Sequence, residues 1–146
     1  MSRTPKHLRA ATFALALAFV LAGAGCGGSG KDGASLDGTQ WRLVGWSLSS
    51  LDPNDFGITA TFADGQISGA SAVNSYGGPY TTGPGTAFST GDLASTMMAG
   101  PEPAMRAETA YLTLLREAAA FKLSGDTLTL YDANGNESLV FAATEK

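Results

Sequence analysis

The stretch TLTLYDANGNESLVFA, residues 127–142, decides the fold of this chain. Apolar and polar residues alternate through TLTLY, which is typical of a β-strand with one buried face. A second run, ESLVFA, follows after an Asn-Gly turn at Asn134-Gly135, and this pair favours a chain reversal. The stretch therefore predicts an antiparallel hairpin. Asp132–Glu137 spaces oxygen-bearing side chains as a calcium loop does, but the flanking strands favour a simple turn.

Short alternating runs separated by turn residues continue towards the N terminus. The runs at 58–62 and 66–69 flank Asp64-Gly65, a pair that favours a type I′ turn because both of its residues need positive φ. Gly77-Gly78-Pro79 predicts a further turn or bulge. The other predicted strands lie at residues 39–47, 71–80, 86–89, 93–99 and 120–123. A sheet of about eight such strands tends to curl into a barrel or sandwich.

The hydrophobic period changes between Ala104 and Ala120. Apolar residues recur there at helical spacing, and Pro101 and Pro103 suit the first turn of a helix. The charged residues are predicted to lie mostly away from the apolar face: Arg106, Glu108, Arg116 and Glu117. The predicted fold class is mainly β (α+β), an antiparallel sheet curled into a small open barrel of about eight strands with one helix packed against it.

The N terminus has the layout of an export signal. Arg3, Lys6 and Arg9 precede an uncharged run from Ala10 to Ala24. That run is shorter than the roughly 20 residues that span a bilayer, and a basic segment followed by a short apolar one is typical of a signal peptide. Residues 1–25 are therefore predicted to be a cleaved signal peptide.

The small residues before Cys26 resemble the lipobox of bacterial lipoproteins, whose cysteine is lipidated and becomes the mature N terminus. Gly23 departs from that pattern, which usually has Leu, Val or Ile three positions before the cysteine. The alternative is an ordinary signal peptide with a stray cysteine. Lipidation of Cys26 is expected to anchor the chain in a membrane. Residues 26–35 are rich in glycine and serine and predict a flexible tether, which leaves 36–146 as one folded domain.

Composition excludes several functions. The chain of 146 residues has nine basic and 13 acidic residues, and three of the basic ones lie in the leader. The remainder is too acidic to favour nucleic-acid binding. His7 and Cys26 are the only histidine and cysteine, so the folded part has no residues for Ser-His or Cys-His catalysis, common zinc sites or a disulfide. No cofactor or metal is expected.

Acid–base chemistry by paired carboxylates is the remaining catalytic possibility. The candidates are Asp52, Asp55, Asp64 and Asp92, and each of them lies in a turn marked by glycine or proline. Aspartate is common in turns because it accepts hydrogen bonds from nearby backbone. A hydrolase is therefore the third hypothesis only, and the chain is predicted not to be an enzyme.

The candidate binding surface consists of Trp46, Asn74, Tyr76 and Tyr80. Exposed aromatic side chains of this kind contact peptides or glycans. For Asn74 the sequence also allows a purely structural role, in which its side chain hydrogen-bonds neighbouring backbone. The methionines Met97, Met98 and Met105 are interpreted as core filling between sheet and helix, with an adaptable binding surface as the alternative.

Several segments together resemble the META domain, the HslJ-like group of small bacterial envelope proteins. The opening is LDGTQWRL at 36–43, and the first hairpin is ITATFADGQISG at 58–69. The later segments are NSYGGPY at 74–80, LASTMMA at 93–99, Glu102–Met105 with Glu108, and GDTLTL at 125–130. Family members often carry a cysteine just before the asparagine and another after the T-x-M-A motif. Those places are Val73 and Gly100 here.

The resemblance implies a small antiparallel β-structure with one helix and no established catalysis. It also implies association with heat shock, envelope stress, secretion or motility. We therefore expect a membrane-anchored envelope lipoprotein that binds a protein or peptide partner and is a monomer. It would lie on the outer face of the plasma membrane or in the periplasm or outer membrane. The alternative is a small-molecule or lipid-binding barrel, with a cavity in place of packed Phe62, Phe88, Leu130 and Phe141.

Overall fold

The structure is a computed structural model, and it describes residues 35–144. The predicted signal peptide, the lipidation site Cys26 and almost all of the predicted tether lie outside the described residues. Within them, the strands are β1 (Thr39–Trp46), β2 (Thr59–Ala63), β3 (Gln66–Ala70), β4 (Ser75–Thr82), β5 (Phe88–Thr90), β6 (Ala94–Ser95), β7 (Ala120–Ser124), β8 (Thr127–Tyr131) and β9 (Glu137–Ala143). A short 3-10 helix (Pro53–Phe56) follows β1, and α1 (Glu102–Glu117) lies between β6 and β7.

The strands form one antiparallel sheet that curls into a nearly closed barrel. Their order is β5-β4-β3-β2-β1-β9-β8-β7, and β6 pairs with the first half of β4. The two ends of this order meet through a single bridge between Ala87 and Ala120. Its two hydrogen bonds run from Phe88 N to Ala119 O at 3.0 Å and from Phe121 N to Thr86 O at 2.9 Å. The predicted eight-stranded barrel is confirmed.

The turn residues act in two different ways. Asp64 and Gly65 have φ of 52° and 73°, as the predicted type I′ hairpin requires. The predicted turn or bulge at Gly77-Gly78-Pro79 is wrong, because these residues lie inside β4 and pair with β3 in continuous register. Gly78 is needed for close packing instead, since a Cβ there would lie 2.4 Å from the carbonyl oxygen of Asp92. The strand that pairs with this side of β4 is interrupted between β5 and β6.

The helix packs against the barrel, as the sequence predicts, with shifted ends. It begins at Glu102 because proline is tolerated in the first turn, and it ends at Glu117 because Ala118 is already extended. Its buried face is Ala107, Glu108, Ala110, Tyr111, Leu112, Leu114 and Leu115. Glu108 is therefore an exception to the prediction that the charged residues lie mostly away from the apolar face. Hydrogen bonds from the turn between β3 and β4 compensate for burial of its carboxylate.

The interior of the barrel is packed with side chains. Phe62, Leu130 and Phe141 have no exposed surface, and Phe88 is 3% exposed. All four belong to one core cluster, in which the rings of Phe62 and Phe88 lie 6.3 Å apart, edge to face. The alternative of an apolar ligand cavity in the place of these residues is therefore wrong.

Candidate functional site

A buried carboxylate on α1 organises the turn between β3 and β4. Glu108 is 8% exposed, and its Oε2 accepts hydrogen bonds from Ser71 Oγ at 2.8 Å, Asn74 N at 2.8 Å and Val73 N at 3.2 Å. Its Oε1 accepts a bond from Asn74 Nδ2 at 2.8 Å. The turn needs this support because Ala72 has φ of 104°, which costs a residue with a Cβ about 1–3 kcal/mol.

The side chain of Asn74 joins this turn to the chain that follows β6. Besides its bond to Glu108, Nδ2 donates to Met98 O at 3.2 Å. Its Oδ1 accepts from Met98 N at 2.7 Å and from Thr96 Oγ1 at 2.8 Å. Two donor hydrogens and two acceptor lone pairs are all that a carboxamide has, so every one of them is used. We call the connected set Ser71, Val73, Asn74, Thr96, Met98 and Glu108 the Asn74–Glu108 network.

The network lowers the pKa of Glu108. Burial is the largest single effect and on its own would raise the pKa of this carboxyl. The hydrogen bonds from Asn74, Ser71 and Val73 act in the opposite direction, and together they bring the pKa below its ordinary value of 4.5. Glu108 is therefore a carboxylate at neutral pH, held as an acceptor for four donors.

The network fixes an exposed segment, Leu93–Gly100, which we call the edge segment. Two of its side chains point into solvent, with Met97 94% and Met98 60% exposed. The interpretation of these two methionines as core filling is therefore wrong, whereas Met105 is half-buried. The segment is also fixed at its C-terminal end, where a Cβ on Gly100 would lie only 2.7 Å from Val73 Cγ2.

A cleft of about 290 Å³ lies between the edge segment and α1. Its sides are formed by the edge segment and by Met105, and it reaches Asn74 and Glu108 of the network. A second cleft of about 420 Å³ lies on the other side of Met105 and is lined by Leu48, which is 57% exposed. Exposed apolar groups are thus concentrated around the first half of the helix.

The structure does not bring the four predicted binding residues together. Asn74 and Tyr76 are 4% and 5% exposed, so the prediction that they line a surface is wrong. Trp46 is half-buried and donates from Nε1 to Leu51 O at 2.8 Å. Tyr80 is half-buried against the core, with its ring 4.9 Å from that of Phe62. The aromatic residues are part of the packing because each shares a strand face with core residues.

Tyr76 forms a buried hydrogen-bonded pair with Tyr111. Its hydroxyl lies 3.0 Å from Thr59 O and 2.6 Å from the hydroxyl of Tyr111 on α1. Since Tyr76 has one proton and a carbonyl only accepts, Tyr76 donates to Thr59, and Tyr111 donates to Tyr76. Burial raises the pKa of both phenols well above the ordinary value of 10.0, so both stay neutral. The pair joins the helix to the barrel.

The four aspartates considered for acid–base chemistry lie in three exposed turns, because Asp52 and Asp55 share one turn, in which Asp55 N donates to Asp52 O at 3.2 Å. Asp52 caps the 3-10 helix by accepting from Asn54 N at 2.9 Å, and this bond lowers its pKa. Asp64 forms the β2–β3 turn, and Asp92 lies between β5 and β6. Within residues 35–144, no three His, Cys, Asp or Glu side chains are grouped as metal ligands. The same residues contain no helix long and apolar enough to cross a membrane.

The architecture is that of a small antiparallel β-barrel with one helix packed against it. The sequence comparison identifies the family. The family model of the META domain matches residues 34–145. The chain therefore belongs to the META domain family. No curated protein matches it.

Solved structures share this fold. An NMR structure of a protein from Burkholderia xenovorans is 28% identical, with a TM-score of 0.63, over 76% of this chain and 85% of that one. A crystal structure of a DUF4847 family protein from Bacteroides vulgatus is 12% identical, with a TM-score of 0.54, over 74% of this chain and 94% of that one. The latter similarity concerns the fold alone.

Sequence reasoning missed Glu108 as a site residue. The signal was present, because Glu108 belongs to a segment that resembles the family pattern, in which an aromatic residue follows the glutamate by three positions. Tyr111 occupies that position on the same buried helix face. A glutamate beside buried residues at helical spacing predicts a carboxylate that faces the fold.

Proposed function

We propose that this protein is a non-catalytic lipoprotein of the cell envelope whose META domain binds a protein or peptide partner. The observation that carries the binding role is the edge segment. Met97 and Met98 are exposed, while the chain that bears them is fixed by the buried Asn74–Glu108 network. Methionine suits binding surfaces because its side chain is flexible and polarizable. A fixed backbone also reduces the entropy that binding would cost.

The placement in the envelope is supported by the leader. A basic segment, a short apolar run and small residues before Cys26 are the sequence features of exported lipoproteins. A glycine-rich tether allows a domain to stand away from a membrane surface. An acidic domain on such a tether is repelled by anionic lipids and remains available to partners.

A non-catalytic role is supported by the chemistry of the acidic groups. Glu108 is the most buried carboxylate of the site, and four hydrogen bonds hold it in its ionised state. A general acid or base needs a pKa near the working pH, and these bonds lower the pKa of Glu108 instead. The carboxylate therefore acts as a structural acceptor. A role in envelope stress is the family association that we extend to this chain.

The anchoring is tested by metabolic labelling with a fatty-acid analogue. The natural chain should incorporate the label, and Cys26→Ser should not, because the thiol is the site of acylation. Ser29→Ala is the matched control and should be labelled like the natural chain. Equal labelling of Cys26→Ser, or none in either chain, would contradict the lipoprotein assignment.

The binding role is tested by photo-crosslinking in cells that produce the full chain. A photoreactive side chain replaces Met98, which lies on the proposed surface, or Asn134, which lies in the exposed β8–β9 turn. We expect a discrete adduct from position 98 and none from position 134. The absence of an adduct at 98, or the same adducts at both positions, would refute the proposal.

A further inference from the structure

We infer that the outer edge of residues 94–98 takes an extended polypeptide segment of a partner as an additional antiparallel or parallel β-strand. This inference rests on the proposed binding role and specifies how the partner is held. Main-chain hydrogen bonds would supply most of the recognition, and Met97 would contact the apolar face of the added strand.

The first support is the alternation of hydrogen bonds along the segment. Ala94 pairs with Gly77 of β4, and Thr96 N donates to Ser75 O at 3.0 Å. Two residues further, the side-chain carboxamide of Asn74 is hydrogen-bonded to both the N–H and the C=O of Met98. The backbone groups of residues 94, 96 and 98 thus face β4 and the Asn74 side chain. In an extended chain, the backbone groups of the residues between them face the opposite way.

The second support is that this opposite edge is open. Among residues 35–144, the backbone of Met97 makes no hydrogen bond. Ser95 lies opposite Tyr76, next to the hydrogen-bonded pair of Thr96 with Ser75, so its backbone groups are expected to face away from β4. Every residue from Ala94 to Ala99 is exposed. An edge of this kind is a template for another strand. The terminal strands of the barrel differ, because β5 and β7 approach each other through the Ala87–Ala120 bridge.

The third support is the absence of protective residues. Protein edges are usually blocked by Lys, by inward charges, by bulges or by proline within the strand. The run Leu93–Gly100 has no charged residue, and the first proline is Pro101. Its outer positions are thus free to pair.

Charge defines the ends of the expected partner strand. Two exposed carboxylates bracket the edge segment, Asp92 before it and Glu102 after it. The Arg106 guanidinium is 3.8 Å from Glu102, and both side chains are largely in solvent, so this pair is weak. A segment of about six residues with alternating apolar side chains and a basic residue at each end therefore fits the edge.

The test uses the full chain and a fluorescent peptide, Lys-Val-Thr-Val-Thr-Val-Lys, in an anisotropy titration. Met97→Pro removes the outward N–H but no hydrogen bond of the barrel, whereas the matched control Met97→Ala keeps that N–H. We expect Met97→Pro to weaken peptide binding at least tenfold and Met97→Ala to weaken it less than fivefold. A peptide with alternate N-methylated amides should also bind at least tenfold more weakly.

Several outcomes would overturn strand addition. One is equal binding by the natural chain and Met97→Pro, with circular dichroism showing that both are folded. Another is no peptide binding up to about 1 mM. A dimer in sedimentation that Met97→Pro dissolves, without peptide binding, would show that a second copy occupies the edge instead.

The two proposals fail in different ways. If crosslinks from position 98 persist when Met97→Pro is added, the surface binds a partner without strand addition. If no crosslink forms in the natural chain, the cellular binding role fails, whatever the peptide does. Peptide binding that depends on the Met97 N–H, together with crosslinks that Met97→Pro abolishes, would support both.

Discussion

At the scale of single residues, the side chain of Asn74 makes the hydrogen bonds to the edge segment that the backbone of β4, which begins at Ser75, does not make. Its carboxamide pairs with Met98 as a backbone amide would, at 2.7 and 3.2 Å. Glu108 orients that carboxamide through Nδ2, at 2.8 Å. Because all hydrogen-bonding groups of Asn74 have partners, a change at either residue leaves buried groups unpaired.

Glu108→Gln tests this dependence. The substitution places an NH₂ group or a single carbonyl oxygen where three donors meet Oε2, so we expect a loss of about 2–4 kcal/mol in the free energy of unfolding at pH 7. Urea denaturation measures it. The control is Glu117→Gln at the exposed end of the same helix, with an expected change within about 0.5 kcal/mol. A loss from Glu108→Gln as small as that of the control would contradict the role of the network.

The same pair of chains predicts a pH dependence. The pKa of Glu108 is lower in the folded chain than its ordinary value of 4.5, so folding favours the ionised form. The stabilisation is complete above that value and is lost as the pH falls through the folded-state pKa. The stability difference between the natural chain and Glu108→Gln should therefore shrink from pH 6 to pH 3. A difference that stays constant or grows in acid would contradict this.

At the scale of elements, the sequence predicts the buried faces that follow from the local hydrophobic period. It does not predict burial or exposure that depends on contacts between residues far apart in the chain. The alternation in β8 and β9 predicts a buried face, and Leu128, Leu130, Leu139 and Phe141 of these strands have no exposed surface. The charge of Glu108 suggests an exposed side chain. The local sequence does not reveal its burial, because the donors that compensate for it lie 34–37 residues away. Met97 is exposed because the side chain of Asn74, which binds Met98 N from 24 residues away, holds the edge segment at the surface. No local pattern records that.

The two positions where the family often has cysteines lie against each other. A Cβ on Gly100 would lie 3.4 Å from the Cβ of Val73. Disulfides join Cβ atoms about 3.5–4.5 Å apart, so a small adjustment would allow a bridge. Here the Val73 side chain fills the space above the glycine.

Val73→Cys with Gly100→Cys should therefore form a disulfide. We make the change in a Cys26→Ser background so that no other thiol competes. The bridge closes a loop of about 28 residues and should raise the free energy of unfolding by about 2–4 kcal/mol. Denaturation with and without dithiothreitol measures the gain, and the reduced form is the control. Two free thiols after air oxidation would show that the positions do not meet as described.

At the scale of the whole molecule, the barrel is continuous except at one weak junction. Neighbouring strands elsewhere in the order share ladders of three or more residue pairs, such as β7 with β8 over Ala120–Ser124. The junction of β5 with β7 has a single bridge and two hydrogen bonds. The sequence predicts an open barrel. The bridge that closes it could not be predicted from local patterns, because Ala87 and Ala120 lie on either side of α1 in the sequence.

Hydrogen exchange should reveal this junction. The amides of Phe88 and Phe121 donate the two closing bonds, and local opening of so short a contact costs less than opening a full ladder. We expect these two amides to exchange at least about tenfold faster than hydrogen-bonded amides in the β8–β9 ladder, as measured by NMR in native buffer. Similar rates at both places would mean that the barrel opens only by global unfolding.

The contact of Val73 with Gly100 has a consequence for how the domain depends on its surroundings. A pair of cysteines at these places would respond to oxidants and reductants. In this chain the contact is made by the Val73 side chain against Gly100, and Cys26 is the only cysteine in the sequence. The edge segment is therefore fastened identically under oxidising and reducing conditions, and the maturation of the domain needs no thiol-oxidising enzyme.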